Sequence, residues 1–300
     1  MAYILLAMAA IFWGGNYVVG HILVMYVDPY SLSLIRWAGT TILMFSVYWN
    51  MVRQQFSLYR ENLLTNVLLA FFGQVCFPLT LYIGLQYTSP LNAAIYISST
   101  PCLVLAINYF FFREHITARN IFGVLASTAG VLYLAFASAS GNDKIEAFGK
   151  GDILTIISAL SWAFYCAFLR IKNKQIKHTS FVAFSSLVGT LIIIPIVLLH
   201  AGFSDGVATH LHFPGWGVIS GLLYLIVFPS WLSYVFWNKG VSLIGTTRSE
   251  IFTHLIPLSG GIIGIVFLHN QLRYYHIITL VLIVFGIACC SGGKSGVVKK

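Results

Sequence analysis

Apolar residues run through this chain in long blocks separated by short polar gaps. A helix needs about 20 apolar residues to cross a bilayer, and ten blocks are long enough. They lie near 3–25, 31–51, 64–85, 91–112 and 119–138, then near 152–170, 180–201, 215–238, 248–269 and 275–292. The gaps leave no room for a soluble catalytic domain. The first block lacks a basic leader and a small-residue cleavage pattern, so it is expected to stay as the first helix rather than act as a signal peptide.

The placement of Lys and Arg orients these spans. With a cytoplasmic N-terminus, 13 of the basic residues fall in inner loops and the C-terminal tail, and only Lys144, Lys150 and Arg273 fall outside. Basic residues are retained on the cytoplasmic side, so the pattern predicts an even number of spans with both ends inside. Arg36 alone lies within a span. Composition agrees: 58% of the 300 residues are apolar and 8% are charged, with mean hydropathy +0.86. A soluble domain carries about a quarter charged residues. The net charge of +9 is spread through the gaps, which excludes a nucleic-acid-binding face. The five cysteines show no metal spacing and are read as small buried residues, so no metal and no cofactor is expected.

The chain also repeats itself weakly. Ala10-Ile11-Phe12-Trp13 aligns with Ala159-Leu160-Ser161-Trp162, and Gly84, Pro101 and Gly130 align with Gly240, Pro257 and Gly286 at an offset of 156. Prolines recur in corresponding spans, as Pro78 with Pro229 and Pro101 with Pro257. The division predicts five-span halves at 1–141 and 142–300. Because five is odd, the halves enter the membrane in opposite senses, the arrangement that suits alternating access. Paired helix breaks mark where a substrate site would lie, although a single proline in a membrane helix is often only a kink.

Several motifs resemble the drug/metabolite transporter superfamily, EamA type. They are Phe12-Trp13-Gly14-Gly15-Asn16, Pro29 followed by Leu34-Ile35-Arg36, Tyr87-Thr88-Ser89-Pro90 with Ala93-Ala94 leading to Pro101, and Phe112-Arg113-Glu114. The resemblance spans essentially the whole chain. It implies an all-α membrane protein of ten helices, two inverted five-helix repeats around a central cavity, that moves amino acids, metabolites or drugs, commonly outward. It also implies a bacterial inner membrane. The family often ends both equivalent helices in Glu, whereas Glu114 is matched here by Asn270.

Strongly polar side chains at membrane depth are costly and normally face a cavity or a partner. Arg36 is a candidate for a substrate carboxylate, the alternative being a snorkelling or carbonyl-paired arginine. Trp13 with Asn16, Trp162 with Tyr165, and Trp231 with Tyr234 are candidate pocket residues. Trp237 is assigned to the interfacial belt. Gln74 and Tyr82 on the third span, and Asn92 and Tyr96 on the fourth, would complete a pocket for amphipathic or aromatic solutes. Glu250 and His254, spaced i,i+4, would share a helix face and relay a proton, against an interfacial Glu and a hydrogen-bonded histidine. Glycines at 217/221 and 260/264 suit close helix packing, within one chain or in a weak dimer.

The expected partners are a small-molecule substrate and the lipid bilayer, with the protein a monomer or a weak dimer. An enzyme would need clustered nucleophiles or ligands, and no HExxH, phosphate-cradling glycine loop or Cys/His set occurs. A channel would show charge rings or a filter motif. An exporter of amino acids, aromatic ones among them, is the leading expectation, with a channel or scaffold as the alternative.

Overall fold

A computed structural model of the chain describes residues 1–88, 93, 96–139, 149–203, 215–268 and 274–291. Every regular element among them is helical. Helix α1 is Ala2–Leu23 and α2 is Pro29–Gln54. The start of α2 follows from its sequence: Asp28 accepts from the amides of Tyr30 and Ser31 at 3.0 Å each. Pro29, just after it, has no amide to satisfy. A short α3 (Phe56–Glu61) leads to α4 (Leu63–Ala70), a π-helical stretch at Phe71–Cys76, and α5 (Phe77–Gly84). Helices α6 (Thr100–Phe112) and α7 (Ala118–Ala139) follow.

Next come α8 (Lys150–Phe168) and α9 (His178–Phe203). Helix α10 (Gly215–Leu225) runs through a second π stretch, Ile226–Leu232, into α11 (Ser233–Ile244). A short α12 (Thr246–Glu250) and a 3₁₀ turn (Ile251–His254) precede α13 (Leu255–Leu268) and α14 (Tyr274–Ser291).

Five helical stretches are long and apolar enough to cross a membrane: Ala2–Leu23, Leu63–Gly84, Lys150–Ile171, His178–His200 and Gly215–Ile244. Shorter apolar helices stand beside them at Thr100–Phe112, Ala118–Leu134 and Tyr274–Cys290. The exposure pattern is that of a protein solvated by lipid. Ile42, Leu64 and Phe110 are each more than 70% exposed, while Ser33, Thr40, Gln74 and Asn108 are fully buried. Lipid offers polar groups no partners, so they pack inward.

The packing pairs are few and regular. Helix α1 lies against α11 and α13; α8 lies against α5 and α6. Helix α2 pairs with α9, and α7 with α14.

Several prolines fall in the first turn of a helical segment, whereas Pro195 lies inside α9. Pro78 and Pro101 fall at the first positions of α5 and α6, and Pro257 opens the first turn of α13. Pro229 lies inside the second π stretch. The sequence offset matches the two π stretches to each other rather than Pro78 to Pro229. The offset of 156 carries 71–76 onto 227–232 but carries Pro78 onto Tyr234.

Candidate functional site

Where α1, α8 and α11 meet, five aromatic side chains form one buried layer. The rings of Trp13 and Trp162 meet edge to face at 4.9 Å. Tyr234 lies 5.7 Å from Trp13 and 5.9 Å from Trp162. Trp237 is 5.2 Å from Trp13, and Tyr165 is 5.2 Å from Trp162. The interfacial-belt expectation for Trp237 is thus corrected, because the residue is fully buried. After the π stretch α11 is regular, and Trp237 comes three residues beyond Tyr234 on the same face. Trp231 lies in the π stretch itself, and its ring meets Tyr48 on α2 at 6.1 Å instead.

Beside this layer lies one small cavity. The cavity lined by Trp13, Asn16, Tyr17, Phe77, Ile97, Trp162, Thr253 and Ile256 measures about 10 Å³, space for a single water. Edge-to-face packing of indole and phenol rings takes up the space around this cavity.

The layer also holds the interrupted helices. A π turn displaces backbone carbonyls from their usual amides, and in lipid they need other donors. Trp13 Nε1 donates to Pro229 O at 2.9 Å, and the Tyr234 hydroxyl donates to Gly73 O at 2.5 Å. Gly73 and Pro229 lie 156 residues apart, the same offset that relates Gly84 to Gly240 and Pro101 to Pro257. Ser230 Oγ caps Leu225 O at 2.6 Å, and Thr40 reaches Ile226 O at 3.3 Å. Gln74, expected in the pocket, joins this framework: its amide pairs with Ser185 on α9 at 3.1 Å.

Arg36 is buried, with 1% of its surface exposed, and its guanidinium lies 5.2 Å from the Trp37 ring, which meets Tyr234 edge to face at 5.3 Å. Its Nε donates to Ser230 Oγ at 2.5 Å. Its Nη1 donates to Asn16 Oδ1 at 3.1 Å and to the Tyr82 hydroxyl at 2.7 Å. Tyr82 donates in turn to Asn16 Oδ1 at 2.8 Å. Arg36, Asn16 and Tyr82 are therefore brought together; Ser230 is a member that the sequence did not single out. Among the described residues no salt bridge reaches this guanidinium.

The spacing of Glu250 and His254 does not bring them together. Ile251–His254 is a 3₁₀ turn, and at three residues per turn position i+4 swings about a third of a turn away. His254 is buried between Ser98 O (2.9 Å from Nε2) and Ser127 Oγ (2.8 Å from Nδ1). A carbonyl only accepts, so Nε2 carries the proton. Glu250 is 1% exposed and lies beside the Trp162 indole and the Cys166 thiol. Tyr96 is half-buried against Asp152, which also accepts from Thr88 Oγ1 at 2.6 Å, away from the aromatic layer. Asn92 and Asn270 lie outside the described residues.

A polar lock closes the end of the bundle where α6 stops and α12 begins. Arg113 adopts a left-handed conformation (φ 50°) that turns the chain at the end of α6. Glu114 then forms an ion pair with Arg170, and its Oε1 accepts from Thr247 at 2.9 Å. Arg170 donates to Thr246 at 2.8 Å and lies over the Phe112 ring at 4.5 Å. Asn108 adds bonds to Thr246 and Thr247 at 3.0 and 2.9 Å. Glu114 and Arg170 are 56 residues apart in sequence, and no spacing signal links them.

Cys166, one helical turn before Arg170, is fully buried and reports on this closure. In a variant that keeps Cys166 as its only cysteine, Arg170→Ala is expected to speed maleimide labelling about tenfold, the equivalent of ~1.4 kcal/mol of opening. An unchanged labelling rate would mean that the ion pair holds nothing shut.

Apolar helices with polar groups turned inward, two of them π-interrupted around a buried cation, define the class as a helical integral membrane protein. The chain belongs to the EamA-like transporter family, which it matches over residues 1–136 and 149–292. It is 27% identical to an uncharacterized transporter of Bacillus subtilis (strain 168), YetK, over 97% of this chain and 85% of that protein. It is also 27% identical to a "Probable amino-acid metabolite efflux pump" of Salmonella typhimurium (strain LT2), over 93% of this chain and 91% of that one. A solved crystal structure shares the fold with a TM-score of 0.74 at 16% identity, covering 96% of this chain and 95% of that one.

Proposed function

We propose that the protein is a carrier that exports small amphipathic solutes across a bacterial inner membrane, by alternating access of two inverted five-helix halves. Amino acids, aromatic ones included, are the solutes that fit best. The observation that carries this reading is the reciprocal pair of bonds at the interrupted helices. Trp13 of the first half holds Pro229 O of the second, and Tyr234 of the second holds Gly73 O of the first. Interrupted helices at matching places in two repeats are a hallmark of sites that open alternately to each side.

Helix packing supports the same symmetry. Exchanging the halves turns the α1 contacts with α11 and α13 into the α8 contacts with α5 and α6, and leaves the α2–α9 and α7–α14 pairs unchanged. The two matched family stretches fit halves at 1–141 and 142–300. The name of the Salmonella relative supports outward transport of amino-acid metabolites. In this reading both termini are cytoplasmic, the Glu114–Arg170 lock faces the cytoplasm, and Glu250 carries a coupling proton.

The test is counterflow in proteoliposomes. Preloaded unlabelled phenylalanine is expected to accelerate entry of labelled phenylalanine at least severalfold. Trp162→Ala and Arg36→Ala are expected to abolish this effect while the protein still inserts. Flux without trans-stimulation would identify a channel, and normal kinetics in both variants would remove these residues from the site.

A further inference from the structure

The Arg36 cluster contains donors that none of the described residues uses. Nε and Nη1 of Arg36 are engaged by Ser230, Asn16 and Tyr82, but Nη2 is buried without a partner. The hydroxyl of Tyr17, next to Asn16 on α1 and within electrostatic reach of Arg36, is also buried and unpartnered. Asn16 and Tyr17 border the water-sized cavity, together with Trp13, Phe77 and Trp162. One cation is therefore buried beside neutral groups, with two free donors at hand and aromatic walls alongside. A buried charge without a counter-charge is strongly disfavoured, and polar groups held at membrane depth without partners mark the path of a ligand.

We propose that Arg36 Nη2 and the Tyr17 hydroxyl bind the single carboxylate of a solute whose apolar or aromatic body lies against Trp13, Phe77 and Trp162. This rests on the carrier reading and narrows its substrate class. A guanidinium and a phenol together match the two oxygens of a carboxylate. A single positive charge balances a monoanion and leaves a phosphate dianion with one charge unmet. Among the described residues, no acidic side chain forms a salt bridge with Arg36 or hydrogen-bonds within the cluster. The carboxylate, rather than an α-ammonium, is therefore the group this site selects.

The test measures binding in detergent by quenching of tryptophan fluorescence, which requires no transport. Phenylacetate and phenylalanine are expected to bind, and phenylalaninamide at least about tenfold more weakly. Tyr17→Phe is the decisive variant, because its hydroxyl has no partner to lose. It should keep or raise the ligand-free unfolding temperature, yet weaken phenylacetate binding severalfold to about tenfold. Arg36→Lys keeps the charge but loses the fork, and should weaken binding further.

The proposal is overturned if the carboxylates fail to bind, if the amide binds as well as the acid, or if Tyr17→Phe binds like the parent protein. Saturable quenching by chloride or inorganic phosphate alone, unaffected by phenylacetate, would assign the site to an inorganic anion and overturn it as well. Binding of phenylacetate without counterflow would keep this site and reject the carrier reading; counterflow without carboxylate selectivity would do the reverse.

Discussion

Gly14→Ala is expected to destabilise the protein by about 2–4 kcal/mol and to reduce counterflow below roughly a tenth of the parent rate. A methyl group at Gly14 would lie 2.0 Å from Ser259 Oγ, and 2.8 Å from both Gly260 N and Ile256 O. A hydroxyl can rotate away, but two of these three atoms are backbone. Helices α1 and α13 would therefore have to part. Trp13 precedes this position and Asn16 lies two residues beyond it, so parting the helices misplaces both the bond to Pro229 O and the acceptor for Arg36.

The same substitution at Gly217 supplies the control. Among the described residues nothing lies within 4 Å of a Cβ there, so Gly217→Ala should be neutral or stabilise the helix by up to ~1 kcal/mol. Thermal unfolding in detergent, read beside counterflow, checks both. A Gly14→Ala protein as stable and as active as the parent would refute the close approach of α1 and α13.

How much of this was legible in the sequence depends on the kind of order involved. Helix positions were readable because apolar length is a local property: the block at 3–25 corresponds to Ala2–Leu23, and that at 215–238 to the start of Gly215–Ile244. Departures from α geometry were not readable. Nothing in Phe71–Cys76 distinguishes a π stretch from an α-helix, since every residue there is compatible with either. That gap had consequences, because the face of Trp237 and the separation of Glu250 from His254 both depend on where the helical period changes.

Tyr17 was missed for a different reason. Its relevance lies in a hydroxyl that lacks a partner, and a missing contact leaves no trace in spacing. Arg36 stood out from the sequence alone because a charge within an apolar run is rare and costly. Its partners Asn16 and Tyr82 were named as separate pocket candidates, but the contact among the three is a property of tertiary packing.

Glu250→Gln is expected to abolish proton-driven accumulation while leaving exchange intact. Glu250 is buried, with 1% of its surface exposed. The groups beside it are the Trp162 indole and the Cys166 thiol of α8, with Trp237 of α11 next to that thiol. From α6, Asn108 is committed to Thr246 and Thr247. No salt bridge to Glu250 is formed among the described residues. A carboxyl buried at membrane depth with only an indole and a thiol beside it, and no cation, is the group expected to gain and lose a proton during each cycle.

Coupling of one proton per solute allows a one-unit pH difference to support roughly tenfold accumulation, because one unit is worth about 1.36 kcal/mol. Glutamine has nearly the same shape but cannot carry the proton. Accumulation in proteoliposomes under that gradient should therefore fall from about tenfold to none, while counterflow at equal pH stays within about twofold of the parent rate. Full gradient-driven accumulation by the glutamine variant would remove Glu250 from the coupling path. Loss of both accumulation and counterflow would show that the carboxyl is needed for the fold or for the solute rather than for the proton.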